Sequence, residues 1–310
     1  MKMLVPSKRR IPWMPISALM TCLLLIQTIH VRRLHEEGDQ AATYRFPETF
    51  RFETPYFGLT YAGESGNFID DRILQYGAFE KPELYLLRKI VGQRKGLVFL
   101  DIGANVGTHS LFMSQLVERV HAVEPFPPVL AKLHHNLDLN HLTNVTVHPV
   151  GFGNEKRLLP FHAPPNRNLG IGSFSRDIAE RWEGSVAKAD TAQQLSLEIG
   201  DEYLQQQGVT RIDIAKVDIE GYEKFALQGL RQTLLRNRPC VLLELNIGKE
   251  EGFHSLQELE SAFPPRYRFY QIVSYLSDLQ SGTYKLKSLS RLPEESGNLL
   301  AIPEEHSVHF

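Results

Sequence analysis

The sequence has few cysteines, no excess of positive charge and no internal repeat. Only Cys22 and Cys240 occur in 310 residues, which excludes a disulfide framework and the cysteine spacing of a zinc site. We therefore predict no metal-binding residues, and any metal requirement stays open. Lys and Arg number 34 against 36 Asp and Glu, so no basic surface is expected to attract nucleic acid. The length allows one large α/β domain with an N-terminal appendage.

Charge is also missing locally, because no Asp, Glu, Lys or Arg lies between Arg10 and Arg32. A helix from Pro15 to Val31 would be about 26 Å long, marginally enough to cross a bilayer core. We predict a basic, cytosolic tip and single-pass membrane anchor in residues 1–35, with the span at about 11–31. An organelle-targeting segment or a buried helix of a soluble protein is the alternative. The membrane side of the main domain is left open.

The stretch Leu97–Gly107 organises the rest of the chain. Four apolar residues in a row predict a buried parallel strand, covered by helices on both faces. The strand runs into Gly103 and Gly107, which let the turn adopt positive φ and bring bare backbone close to a ligand before a helix begins at Thr108. This geometry is typical of a nucleotide-binding turn.

The residues between these glycines indicate which nucleotide binds. A dinucleotide fold uses G-x-G-x-x-G to bind pyrophosphate, whereas here Asp101 precedes the turn and Asn105 stands where the second glycine would be. A carboxylate repels pyrophosphate and attracts a cation, so the pattern favours S-adenosylmethionine, which carries a sulfonium and an ammonium. Glu124, at the end of the second strand, is placed to accept hydrogen bonds from both ribose hydroxyls.

A second group of acids is predicted at the same edge of the sheet. Residues 212–219 form the fourth strand, and its alternation places Asp218 and Glu220 beside the cofactor turn. The fifth strand, 239–246, brings Glu244 to that edge. Asp218 is the candidate base, with Glu220 and Glu244 behind it. Lys216, earlier in its strand, is expected to pair with a carboxylate.

The sequence resembles the FkbM-like family of class I S-adenosylmethionine-dependent methyltransferases over roughly residues 46–303. The matching motifs are Asp101-Ile-Gly-Ala-Asn-Val-Gly107, Val123-Glu-Pro125, Asn136-Leu-Asp-Leu-Asn140, Val147-His-Pro-Val-Gly-Phe-Gly-Asn154, Lys216-Val-Asp-Ile-Glu-Gly-Tyr-Glu223 and Leu243-Glu-Leu245. The Lys-x-Asp-x-Glu-Gly run is the most specific of these.

The resemblance implies a Rossmann-like, seven-stranded, mostly parallel sheet with helices on both faces. It implies O-methylation of a hydroxyl on a sugar, a glycan or a secondary metabolite, hence a small-molecule or glycan acceptor. It also places Gly153 and Asn154 near the adenine, at the end of a third strand over 145–152. Glu80 follows Gly77-Ala-Phe like the family's upstream element, and we take it as a candidate on the substrate side.

The remaining segments complete the domain plan. Residues 36–49 are predicted to be a linker and 50–303 the methyltransferase domain, followed by a short tail at 304–310. Within the domain, 50–95 supplies a hairpin lid and a helix over 70–91, and 155–194 a variable loop over the substrate. Two rivals stay open: an NAD-dependent oxidoreductase of Rossmann type, and a catalytically inactive, membrane-tethered binding module. The oligomeric state is unknown.

Overall fold

The structure is a computed structural model that describes residues 49–162, 174, 193–247, 251–274 and 278–306. The predicted membrane anchor, nearly all of the linker and most of the 155–194 loop lie outside these residues. Within the described ranges, no helix is long and apolar enough to cross a membrane.

The strands, in chain order, are β1 Arg51–Tyr56, β2 Leu59–Glu64, β3 Val98–Ile102, β4 Arg119–Val123, β5 Val145–His148, β6 Gly151–Gly153, β7 Arg157–Phe161, β8 Gln193–Ile199, β9 Ile214–Val217, β10 Cys240–Leu245, β11 Tyr267–Val273, β12 Lys285–Ser288 and β13 Gly297–Pro303. The described helices are α1 Phe68–Tyr76, α2 Lys81–Val91, α3 Thr108–Ser114, α4 Pro127–Leu139, α5 Gly200–Gln206, α6 Glu223–Gly229, α7 Arg231–Asn237, α8 Leu256–Ser261 and α9 Asp278–Ser281.

The central sheet has the strand order β12-β11-β13-β10-β9-β3-β4-β5. The five strands from β10 to β5 pair in parallel, and β13, β11 and β12 continue the sheet in antiparallel pairs. The predicted α/β fold with a mostly parallel sheet is therefore confirmed. The sheet has eight strands rather than the predicted seven, because β12 forms within the polar segment 281–295.

The core lies on both faces of this sheet. Phe99 of β3 is fully buried in one apolar cluster, and Leu100, the next residue along, belongs to the cluster on the other face. This two-sided burial explains why the strand has no polar face. It also holds β3 rigidly between β4 and β9, so the turn that follows β3 has a fixed position.

The predicted single helix over 70–91 is wrong, because two helices occupy this region. Helix α1 ends at Gly77, whose left-handed backbone (φ 79°) closes the helix through a hydrogen bond from its N–H to Ile73. Helix α2 begins after Glu80, which is also left-handed (φ 49°). The break turns the chain and brings Glu80 to the edge of the central sheet.

The predicted third strand, 145–152, is also two elements. Its first part, β5, ends at His148, and β6 pairs in parallel with β8 in a separate three-stranded sheet that includes β7. The ends of the predicted 155–194 loop are therefore the strands β7 and β8. The helix α5 begins at Gly200, directly after β8.

The N-terminal hairpin of β1 and β2, predicted to be a lid, packs against the helices α3 and α4. Its Thr60 and Ala62 N–H groups donate to the side chains of Asn140, directly after α4, and Asn136 on α4, each at 2.8 Å. Tyr56 at the end of β1 is buried and donates to the Thr108 carbonyl at 3.1 Å. The hairpin braces the helices α3 and α4, and the described cavity has none of its residues in the wall.

Candidate active site

A cavity opens at the carboxyl ends of β3, β4, β9 and β10, where the strand order reverses between β3 and β9. Open α/β sheets bind their ligands at such a switch point. The structure brings together here seven of the residues predicted from the sequence, namely Glu80, Gly103, Asn105, Glu124, Asp218, Glu220 and Glu244. Besides Gly103, three of them adopt left-handed backbone although they are not glycine, namely Glu80, Asn105 and Glu220. Strained backbone at several residues that line one cavity is typical of a functional site.

Gly103 lets the turn after β3 contact the end of β9. Its φ is +82°, and a Cβ added there would lie 1.8 Å from the carbonyl oxygen of Asp218. Only glycine allows the turn after β3 to contact the end of β9 this closely. Gly107 has a different function, because its φ of +93° starts α3 while it packs against Leu133 outside the cavity wall.

The amide groups of the turn are already hydrogen-bonded within the protein. Gly103 and Ala104 both donate to the carbonyl of Val123 at 3.0 Å, and Asn105 donates to Oε2 of Glu124 at 3.1 Å. The next two amides donate to oxygens inside the turn, at 2.8 and 2.9 Å. A pyrophosphate site requires amides that point at the ligand. This turn therefore lacks the donors that a dinucleotide would use.

Glu124 lies in the cavity wall with 7% of its surface exposed. Its Oε1 accepts the Phe126 N–H at 2.9 Å and its Oε2 accepts the Asn105 N–H, which fixes the carboxylate at the end of β4. Burial raises the pKa of Glu124 to about 7, although the two amide donors oppose the shift. Each oxygen keeps a lone pair, so the carboxylate can still accept hydroxyl donors, as predicted for ribose.

Asp101 lies beneath the turn rather than in the cavity wall. It is fully buried, and Ser110 on α3 donates to its Oδ2 at 2.6 Å. Burial raises the pKa of Asp101, while the Lys216 ammonium opposes the shift. Its other oxygen, Oδ1, has no hydrogen-bond partner within the described part of the chain. An unpaired buried carboxylate oxygen is costly, so a missing donor is indicated.

Lys216 pairs with the predicted base, which confirms the expectation for this lysine. Its Nζ lies 2.6 Å from Oδ2 of Asp218. Burial alone would lower the pKa of Lys216, but the carboxylates of Asp218, Glu80 and Asp101 raise it above its ordinary value. The lysine therefore stays charged and holds one oxygen of Asp218, leaving the other oxygen for a ligand.

Glu244 reaches the cavity from the end of β10. Asn246 donates to its Oε2 at 2.8 Å, and burial followed by repulsion from Asp218 and Glu220 raises the pKa of Glu244 well above its usual range. Oxygens of Asp218, Glu223 and Glu244 come within 4.8 Å of one another, a spacing that could hold a metal ion. The Lys216 ammonium already supplies positive charge at this cluster.

His109 is the cavity residue that the sequence analysis missed. It lies on α3 and is fully buried, and its Nε2 lies 3.6 Å from Oε2 of Glu80. Burial, and then the Lys216 ammonium, lower the pKa of His109 well below its ordinary value, so the ring is neutral. Its position directly after the glycine turn was the available signal, because the first turn of that helix faces the ligand.

Gly153 and Asn154 do not lie at the cavity, which corrects their predicted place near the adenine. Gly153 belongs to β6, and its carbonyl oxygen would be 1.9 Å from a Cβ on Gly229. Asn154 is exposed and donates to Gln228 on α6 at 2.9 Å. The prediction failed because the third strand ends at His148, before these residues.

Aromatic side chains form much of the remaining wall. Phe68 and Phe79 meet edge to face with ring centroids 6.0 Å apart, and Phe68 is 40% exposed. Phe161 and Phe174 make a similar contact at 5.2 Å. The cavity therefore combines carboxylates with aromatic side chains, of which Phe68 is exposed.

A doubly wound sheet with an acid-lined cavity at its switch point defines an α/β protein that binds its ligand beside a glycine turn. The family model described as the methyltransferase FkbM domain matches residues 101–284, more than half of the 310 residues. The chain belongs to the FkbM methyltransferase family, which confirms the resemblance seen in the sequence.

The individual relatives that match this chain share less than 30% of its residues over the aligned parts. Methyltransferase sdnD of Sordaria araneosa is 29% identical over 44% of this chain and 63% of its own length. Hexuronic acid methyltransferase AglP of Haloferax volcanii is 28% identical over 49% of this chain and 56% of its own length. The solved methyltransferase FkbM of Methylobacillus flagellatus has a TM-score of 0.42 at 17% identity, over 74% of this chain and 53% of that one. The chain thus spans less than two thirds of these relatives.

Proposed function

We propose that this protein is an S-adenosylmethionine-dependent methyltransferase that methylates a hydroxyl group. The observation that carries the proposal is the turn of Gly103, whose amides are all hydrogen-bonded internally beside buried carboxylates. Such a site rejects phosphate and accepts a ligand with positive charge and hydroxyl groups. Membership of the FkbM methyltransferase family supports the same activity.

The donor fits the residues present. Glu124 would accept its ribose hydroxyls, and Oδ1 of Asp101 and Oε2 of Glu80 are buried acceptors that lack a donor among the described residues. When bound, S-adenosylmethionine supplies an activated methyl group on its sulfonium. The protein then has to align the acceptor and exclude water, which together can account for about 7 to 11 kcal/mol of the barrier.

We propose Asp218 as the group that takes the proton of the acceptor hydroxyl. Its Oδ2 is held by Lys216 at 2.6 Å, so the carboxylate has a fixed direction, and Asp218 lines the cavity. Glu220 and Glu244 line the same cavity and are the next candidates for this role. A positioned base of this kind typically contributes about 10²- to 10⁴-fold in rate.

The proposed acceptor is a sugar, a glycan or another hydroxylated metabolite. Exposed aromatic faces such as Phe68 suit the apolar face of a sugar ring, and carboxylates suit its hydroxyls. The relative named as a hexuronic acid methyltransferase is consistent with a sugar-type acceptor.

Binding of S-adenosylhomocysteine, the demethylated form of the donor, separates this proposal from an NAD-dependent oxidoreductase and from an inactive binding module. S-adenosylhomocysteine should bind to the full chain in calorimetry, whereas NADH should not. The variant Asp218→Asn should still bind S-adenosylhomocysteine but should no longer transfer label from methyl-labelled S-adenosylmethionine to acceptor molecules in a cell extract. The control variant Asp213→Asn, which lies outside the cavity, should retain this transfer. Binding of NADH without S-adenosylhomocysteine would refute the proposal, and binding of S-adenosylhomocysteine without any turnover would favour the inactive binding module.

We also propose that residues 11–31 anchor the protein in a membrane. The support is the stretch free of Asp, Glu, Lys and Arg between Arg10 and Arg32, with basic residues before it. The full chain should stay with membranes after an alkaline carbonate wash, and a variant lacking residues 1–35 should not. Release of the full chain by the wash would contradict the anchor and favour the soluble or organelle-targeted alternative.

A further inference from the structure

Three buried polar atoms around the glycine turn have no hydrogen-bond partner. They are Oε2 of Glu80, Oδ1 of Asp101 and Nε2 of His109, and they are the buried side-chain atoms found in this state within the described ranges. They come from three separate elements, the break before α2, the strand β3 and the helix α3. Native proteins rarely leave such atoms unpaired, so a common missing partner is indicated.

All three atoms accept a hydrogen bond when the ring proton of His109 is on Nδ1, and this tautomer defines the chemistry of that partner. Two are carboxylate oxygens, and the third belongs to an imidazole that its surroundings keep neutral. Nε2 of His109 lies 3.6 Å from Oε2 of Glu80, too far for a hydrogen bond between them. A group with several N–H donors and a positive charge would satisfy them together, and a primary ammonium has three such donors.

The backbone holds Glu80 toward this point at a cost. Glu80 occupies the N-cap position of α2 with φ 49°, yet its side chain makes no capping hydrogen bond to the helix. A capping side chain would normally satisfy an amide of the first turn. The carboxylate instead lines the cavity and meets His109. Strain without a local benefit indicates that the orientation serves a ligand.

We propose that Glu80 and His109, with Asp101 beneath them, form the subsite that binds the α-ammonium group of the methyl donor. This inference rests on the proposed function and assigns Glu80 to the donor, whereas the sequence suggested the substrate side. Glu80 and His109 are then donor-binding residues, and the acids from Asp218 onward remain for the acceptor.

A thermodynamic cycle tests the assignment without using activity. The two probes are S-adenosylhomocysteine and S-adenosyl-4-thiobutanoate, which differ only by the α-amino group. Hydrogen bonds to charged groups predict that loss of the amino group weakens binding to the wild-type full chain roughly 10- to 150-fold. Glu80→Gln should weaken binding of S-adenosylhomocysteine over a similar range and reduce the ratio between the two probes at least about tenfold.

Glu83→Gln is the matched control. Glu83 is a buried acid one turn into the same helix, its Oε1 accepts from Asn298 at 3.0 Å, and it is absent from the cavity wall. Burial raises the pKa of Glu83, so glutamine closely resembles its protonated form. The control should bind both probes with the wild-type ratio.

The release of a proton on binding provides a second readout. Burial raises the pKa of Glu80 to about 8, with Lys216 opposing and Asp218 and Glu83 adding to the shift. Other groups near this carboxyl are the neutral His109 and the Tyr56 hydroxyl, which stays protonated. Glu80 is therefore mostly protonated at pH 7 and must release close to one proton when an ammonium binds.

Calorimetry in buffers of different ionisation enthalpy should show this proton release for S-adenosylhomocysteine. The deaminated probe and the variant Glu80→Gln should each show less release. Equal probe ratios in wild type and Glu80→Gln would overturn the inference while leaving the proposed function intact. Failure of the wild-type chain to bind S-adenosylhomocysteine at all would instead refute the proposed function, and this inference with it.

Discussion

Replacement of Gly103 by alanine should cost more stability than its backbone conformation alone explains. Gly103 and Gly77 have nearly the same left-handed backbone, with φ of +82° and +79°. A Cβ at Gly77 would meet nothing within 4 Å, whereas at Gly103 it would lie 1.8 Å from the carbonyl oxygen of Asp218. The pair therefore separates the cost of positive φ from the cost of contact between the turn and β9.

The magnitude follows from these two terms. An alanine in left-handed backbone costs about 1 to 2 kcal/mol, and this applies to Gly77→Ala and Gly103→Ala alike. Overpacking against surroundings that cannot move freely typically adds about 1 to 3 kcal/mol. The carbonyl of Asp218 belongs to the backbone, so it can move only with the end of β9. We expect a loss of about 1 to 2 kcal/mol for Gly77→Ala and about 2 to 5 kcal/mol for Gly103→Ala.

Urea unfolding of both variants measures the difference, and calorimetric titration with S-adenosylhomocysteine measures its effect on the site. Gly77→Ala should keep the affinity of the wild type, whereas Gly103→Ala should reduce it because the turn and Asp218 must move apart. Equal free energies of unfolding for the two variants would show that the close contact between β3 and β9 carries no stability.

Three other perturbations test the packing around the site. Gly229→Ala, whose Cβ would lie 1.9 Å from the Gly153 carbonyl, should cost about 1 to 3 kcal/mol in urea unfolding with unchanged affinity for S-adenosylhomocysteine; reduced affinity would return Gly153 to the cofactor site. Asp201 accepts the N–H groups of Gln232 and Thr233, at 2.6 and 2.8 Å, and so caps the first turn of α7; Asp201→Ala should cost about 1 to 2 kcal/mol, and an unchanged urea midpoint would show that this cap adds no stability. Burial lowers the pKa of His148 to about 4, so its contribution to stability is complete above pH 6.5 and falls as the pH drops toward 4. His148→Asn should flatten that part of the pH profile by up to about 3 kcal/mol, and parallel profiles would contradict the assignment.

The parts of the site that sequence reasoning located are those fixed by local pattern. An apolar run that ends at Gly103 specifies a buried strand and a turn, and alternation in the fourth strand carries Asp218 to the same edge of the sheet. Both inferences need only the geometry of parallel strands. The end of the third strand was missed although Pro149 follows His148, because strand-like residues continue beyond the proline to Phe152. The pairing of β6 with β8 is decided by residues more than 40 positions away.

The orientation of Glu80 could not be predicted from the sequence, for a different reason. Its backbone is left-handed, which no local pattern around a glutamate predicts, and its neighbour His109 is 29 positions later in the chain on another helix. The sequence indicated Glu80 as a site residue only through the resemblance to the FkbM-like family. Its proximity to His109 depends on how α2 packs beside the central sheet.

The contact between Gly103 and Asp218 explains how one fold can align two ligands. Asp101 and Lys216 are direct neighbours in the parallel register of β3 and β9, so the turn and the proposed base leave adjacent strands at the same level. The glycine lets the two strand ends touch, and Lys216 then fixes the carboxylate direction. Because the transfer of a methyl group depends chiefly on the relative position of donor and acceptor, the alignment is set by the rigid centre of the sheet.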